Sequence, residues 1–148
     1  MIIVDVANQQ SELPFDQARL KDAVQTILEE ASLAEAQISL AVVDDRTIGE
    51  LHGRYLDNDS PTDVISFALE RSETRLEGEV VVSAQTATAA AGRYGWAAED
   101  ELLLYVIHGT LHLVGYDDTT PEKQAEMHRQ EQLYLGRYGL QVRRDLNE

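Results

Sequence analysis

The chain has no cysteine. Disulfides and thiolate metal ligands are therefore excluded, and a cytosolic setting fits. Long apolar runs are also missing: the longest, Leu102 to Ile107, is six residues, against the ~20 that span a bilayer. No transmembrane helix is expected. The opening Met-Ile-Ile-Val-Asp-Val lacks a basic leader and meets Asp5 at once, so it reads as a first strand and not as a signal peptide. Proline occurs only at Pro14, Pro61 and Pro121, each where an element is expected to begin. With no repeat, low-complexity tract or Gly/Ser/Pro linker, residues 1–148 read as one domain. Positive charge is scarce, with 12 Lys+Arg against 27 Asp+Glu and a net charge of −15. That balance excludes a broad basic surface for non-specific nucleic-acid binding, so any RNA contact must be local and DNA is not an expected partner. Aromatics make up 6%, too little for a base-stacking platform.

What is present orders into a series of elements. Ile2 to Val6 has strand character, and Asp16 to Ala31 places Ala18, Leu20, Val24, Ile27 and Leu28 near helical spacing. Ile38 to Val43 predicts a buried strand, followed by a helix capped by Asp44 or Asp45 and reaching about Tyr55. Val64 to Leu69 and Glu79 to Ser83 predict a hairpin with a long polar loop carrying Arg71 and Arg75. From Ser83 onward the pattern is helical, first to about Tyr94, then Ala98 to Val114, then Pro121 to about Tyr138. The middle one is apolar on every face and must be buried. The class is α+β, with about four strands in a small mixed sheet packed by about five helices around that central helix.

The chemistry concentrates in His108-Gly-Thr-Leu-His112-Leu-Val-Gly115-Tyr116-Asp117-Asp118. Residues four apart share a helix face, so His108 and His112 can aim two imidazoles at one point. Gly115 can end the helix in a positive-φ turn that returns Asp118 toward them. Three N/O ligands would leave a tetrahedral ion one open position, the layout of a catalytic site. The spacing matches the metzincin zinc motif with Asp as third ligand, but Gly109 stands where those peptidases carry a glutamate base, which argues against peptidase chemistry. A pair of histidines four apart is also common in ordinary cores. His128 reads as a solvated histidine or an alternative third ligand, and His52 as structural. Asp117 either orients the loop or acts as a base beside the ion. Ser83 reads first as a helix N-cap and Ser66 as a strand residue whose hydroxyl faces the cleft, with catalysis (Ser66) and substrate contact (Ser83) as their secondary readings. Arg71 and Arg75 are the nearest basic pair to the site and candidates for substrate binding.

Together, Ser60-Pro-Thr-Asp-Val-Ile-Ser-Phe67, Gly78-Glu-Val-Val-Val-Ser83 and His108-Gly-Thr-Leu-His-Leu-Val-Gly-Tyr-Asp117 resemble the YbeY family of bacterial metal-dependent endoribonucleases, in motif order over nearly the whole chain. The resemblance implies ribosomal RNA maturation and ribosome quality control, a zinc-type ion on His108 and His112, single-stranded RNA as substrate, and a cleft floored by the Thr62–Phe67 strand, with Thr62 as a substrate contact. Small-subunit ribosomal RNA and its assembly factors would be the partners. Two positions depart from the family. Asp118 replaces a third histidine, which lowers the net charge at the ion from +2 to +1 and gives Mn²⁺ or another harder ion a better hold beside Zn²⁺. Leu56 stands where the family places an arginine suited to phosphate. Two other functions stay open at this point: a non-catalytic ribosome-assembly factor stabilised by metal, and a metallohydrolase of a small molecule or peptide.

Overall fold

The computed structural model describes residues 1–56 and 63–142, the side chains of 54–56 excepted. Its elements run β1 (Ile2–Asn8), α1 (Gln17–Glu30), β2 (Glu35–Val43), α2 (Asp45–Leu56), β3 (Val64–Arg71), β4 (Arg75–Ser83), α3 (Ala84–Tyr94), α4 (Ala98–Leu113) and α5 (Pro121–Gly136). The four strands form one mixed sheet in the order β1-β2-β4-β3, with β1, β2 and β4 parallel and β3 antiparallel at the β4 edge. The expected α+β architecture is the one found.

Helix starts follow from side-chain acceptors that satisfy otherwise unpaired N–H groups. Asp16 accepts from Ala18 N at 3.0 Å, Asp44 from Thr47 N at 2.8 Å, and Ser83 from Thr86 N at 3.1 Å. Thr120 accepts from Lys123 N at 3.1 Å, and Pro121 fills the first helical position behind it.

The strands alternate faces. Leu40, Val42, Val80 and Val82 look into the larger core with Leu20, Val24, Ile27 and Leu28 of α1, whereas Val43, Ile65 and Val81 look to the other side, where Ile48 of α2 covers them. Through the larger core runs α4, touching α1, α3, α5, β3 and β4. Every residue from Glu101 to Ile107 on it is buried, so an all-round apolar sequence has become an all-round buried helix. Its acidic first turn has further tasks beyond meeting the helix dipole. Asp100 pairs with Arg19 at 2.6 Å, and the fully buried Glu101 accepts the Trp96 indole N–H at 2.9 Å.

The hairpin differs from expectation. Both strands run further, β3 to Arg71 and β4 from Arg75, so only residues 72–74 connect them. Charged and glycine-bearing flanks have low intrinsic strand propensity, which hid these segments. Pairing overrides it. Leu76-Glu77-Gly78 is paired on both sides, Arg75 is in register with Glu35, and Leu76 is only 2% exposed. Arg71 and Arg75 are therefore strand residues. Leu69 is the extra residue of a bulge between Ala68 and Glu70, and it stands 62% exposed in the exposed outer stretch of this edge strand.

Candidate metal centre

His108 and His112 project from the last two turns of α4 into a cleft of about 400 Å³ whose other wall is β3, with Asp63, Ser66 and Arg71 among its lining. Their rings stand nearly perpendicular, at 81°, with centroids 4.6 Å apart. Their Nε2 atoms face each other at 3.1 Å. The helix ends in a Schellman turn: Tyr116 N–H donates to Leu111 O at 3.0 Å and Gly115 N–H to His112 O at 3.1 Å, with Gly115 at φ +112°. That reversal carries Asp118 back, so its Oδ2 lies 3.9 Å from both Nε2 atoms. All three ligand atoms fall within 4.8 Å of one another. Two nitrogens held about 2.0–2.1 Å from one tetrahedral ion lie roughly 3.3 Å apart. The imidazole pair is close to that spacing, and a half-exposed carboxylate completes an N/N/O set, so the residues fit a divalent ion.

The two imidazoles have different surroundings. For His108, burial pushes the pKa down, but the Glu131 hydrogen bond and charge, helped by Asp63 and Asp118, outweigh it and hold the value above the ordinary 6.5. For His112, burial and the neighbouring His108 prevail and lower it. Glu131 is a candidate site residue that the sequence pattern did not single out. It lies on α5, is 4% exposed, and gives one oxygen to His108 Nδ1 at 2.8 Å and the other to His128 Nδ1 at 3.1 Å. A signal was there: Met127, Glu131, Tyr134 and Leu135 are the buried residues of α5, so an acid occupies an i, i+4, i+7, i+8 apolar stripe. Asp63, another cleft carboxylate, was also missed.

The remaining candidates separate. Ser66 lies in the cleft, but its hydroxyl donates to Gly109 O at 2.9 Å, tying β3 to α4. Asp117 spends its carboxylate on Thr119, whose N–H at 3.1 Å and hydroxyl at 2.9 Å it accepts, and on Lys123 at 3.3 Å; these contacts, the Thr119 N–H first, hold its pKa below the usual carboxylate value. Its partners are those of a loop orienter. Ser83 is fully buried, caps α3 and donates to Asp45, which leaves it no exposed atom for substrate. Arg75 points to Glu35 at 3.5 Å and Glu70 at 3.6 Å and is not brought to the cleft. Arg71 is. Thr62 and the side chain of Leu56 lie outside the described residues, and His128 is absent from the three-ligand group.

The missing metzincin glutamate has a steric reason. A Cβ on Gly109 would stand 2.8 Å from Val64 Cγ2, 2.8 Å from Val80 Cγ1 and 3.0 Å from Ser66 Oγ. Here α4 lies directly on the β3–β4 hairpin, and no side chain fits between them. Gly109→Ala should accordingly destabilise by roughly 1–3 kcal/mol, as overpacked cores do. Urea unfolding measures this, and a loss below about 0.5 kcal/mol, the surface range, would contradict the close approach.

Comparison with known proteins places these features in a family. The family model "Endoribonuclease YbeY" matches residues 5–139. The chain is 36% identical over 151 residues to the Endoribonuclease YbeY of Moorella thermoacetica, covering 91% of this chain and 96% of that protein. It is 39% identical over 146 residues to that of Pelotomaculum thermopropionicum, with the same shares covered. The solution structure of TM1509 from Thermotoga maritima has the same fold, with a TM-score of 0.60 and 26% identity over 94% of this chain and 92% of the other. Relatives named as endoribonucleases favour the catalytic reading over the assembly-factor and peptidase alternatives.

Proposed function

This chain belongs to the YbeY family of endoribonucleases, and on that premise we propose that it is a single-domain, cytoplasmic, zinc-dependent enzyme that cuts single-stranded ribosomal RNA. Its task in this reading is small-subunit rRNA processing and ribosome quality control, alongside the assembling subunit and its factors. The activity is RNA cleavage and the substrate is RNA. Among the described residues no helix is long and apolar enough to cross a membrane.

The observation that carries the proposal is the convergence of His108, His112 and Asp118, with both histidines lining a cleft that also holds Arg71. These three residues would hold the ion, which when bound supplies a Lewis acid for a phosphate oxygen and a water more acidic than bulk. Zn²⁺ suits two imidazoles, and the carboxylate leaves room for Mn²⁺. Among the described residues Arg71 is the cation that lines this cleft, and none of the ion pairs formed there includes it. Its planar guanidinium matches phosphate geometry, so it takes the role of phosphate contact in a chain with Leu56 at the family's arginine position. Gly115 gives it room: the nearest atom to a Cβ there would be Arg71 Nη2, at 3.0 Å. Ser66 holds the cleft wall to α4, and Asp117 holds the loop that presents Asp118.

One test uses a strand of precursor small-subunit rRNA offered alone, annealed to its complement, as DNA of the same sequence, and beside a peptide. Cleavage confined to the unpaired RNA is expected. Equal cleavage of duplex or DNA, or turnover of the peptide alone, would overturn the reading.

A further inference from the structure

We propose that Glu131 is the positioning residue of the metal centre, holding His108 in the Nδ1–H tautomer with its Nε2 lone pair turned toward His112 and Asp118. The inference rests on the metal reading above and extends it to a residue on a different helix. A carboxylate that is 96% buried is unfavourable unless each oxygen is hydrogen-bonded. An apolar side chain would sit more cheaply beside Met127, Tyr134 and Leu135. Glu131 meets the requirement by taking two imidazoles, His108 at 2.8 Å and His128 at 3.1 Å, both through Nδ1.

The direction of these bonds has a consequence at the ion. A neutral imidazole carries one ring proton. If the Nδ1–H of His108 donates to Glu131, the Nε2 of His108 is left as a lone pair facing the 3.1 Å gap to His112 Nε2. In the opposite tautomer a proton would occupy the position a ligand needs and Nδ1 would confront a carboxylate oxygen, two acceptors without a hydrogen between them. Carboxylates that bind the far nitrogen of a ligating histidine fix its orientation and raise its basicity. His128 completes the arrangement by occupying the second Glu131 oxygen, which keeps the carboxylate from rotating away. Through this contact α5 is tied to the chemistry on α4.

The test pairs two variants with two readouts. Glu131→Gln keeps the shape and one acceptor; Glu131→Met keeps the volume and removes both. Zinc affinity by competition with a chromogenic chelator should fall roughly 10–100-fold in Glu131→Met, and less in Glu131→Gln. Ring-nitrogen NMR of the metal-free wild type at pH 8 should show His108 as Nδ1–H, and Glu131→Met should move it toward a mixture. A wild-type His108 protonated on Nε2, or a folded Glu131→Met that keeps both wild-type affinity and the Nδ1–H form, would overturn the assignment. Should Glu131→Met fail to fold, the wild-type tautomer and Glu131→Gln still decide it. A wild type that binds no zinc would refute the metal reading itself, and Glu131's place at a metal centre with it, whereas zinc binding that is indifferent to Glu131→Met refutes the role of Glu131 alone.

Discussion

His112→Ala should reduce zinc binding by at least two orders of magnitude and leave less than one equivalent of metal on the purified protein. The substitution removes one of two nitrogens that face each other across 3.1 Å and leaves His108 with a half-exposed carboxylate 3.9 Å away. Two protein ligands of unlike type hold a tetrahedral ion poorly. His112 is half-buried at the cleft wall, so its loss should cost the fold little, and the circular dichroism spectrum should be unchanged. His108→Ala should lose metal as fully and stability more, because it also strands the buried Glu131 carboxylate. Acidification should mimic both, since a ligating imidazole must be neutral. His108 has its pKa raised by Glu131, so proton competition begins above the ordinary histidine value of 6.5 and metal affinity should already be falling as the pH drops toward it. Elemental analysis and metal titration of the two variants check this, and full occupancy in either would remove that residue from the site.

The second large effect is on stability. Leu103→Ala should destabilise by roughly 2–5 kcal/mol, the range for deleting a large buried aliphatic side chain. Leu103 is fully buried on the helix that α1, α3, α5, β3 and β4 all pack against. A loss of that size is a large share of a small domain's total stability, so the variant should unfold well below the wild-type midpoint in urea. A change under about 0.5 kcal/mol would mean that α4 is not central.

The parts of the molecule that were legible in its sequence are those where one local pattern decides the outcome. Leu102 to Ile107 has no polar face, and a helix without one has nowhere to go but inside. His108, His112, Gly115 and Asp118 are spaced by helix geometry and one turn, so the structure's convergence of the three ligand atoms follows from short-range rules. The hairpin runs further than its sequence pattern suggests because Arg75 to Gly78 are stabilised by β2, which is distant in the chain and pairs along the whole of β4; β3 then continues to Arg71 on that template, with Glu70 opposite Glu77 and Arg71 opposite Leu76, and single-segment propensity cannot register that. The same limit separated Arg71 from Arg75. Both are basic and four residues apart, yet the tight turn and the bulge send one to the cleft and the other to Glu35. Glu131 was overlooked for a related reason: its two histidine partners lie 23 and 3 residues away, and only the packing of α5 on α4 brings the more distant one into reach. Ser83 shows the reverse, a cap whose local reading was sufficient and whose burial leaves no second role.

The most direct measurement strips the wild-type protein of metal, adds zinc back in known fractions of an equivalent, and follows cleavage of a single-stranded RNA at each point. The rate should be near zero in the metal-free protein, rise in proportion to bound zinc, and level off at one ion per chain, with His112→Ala staying flat throughout. Undiminished cleavage by the metal-free protein would contradict the account.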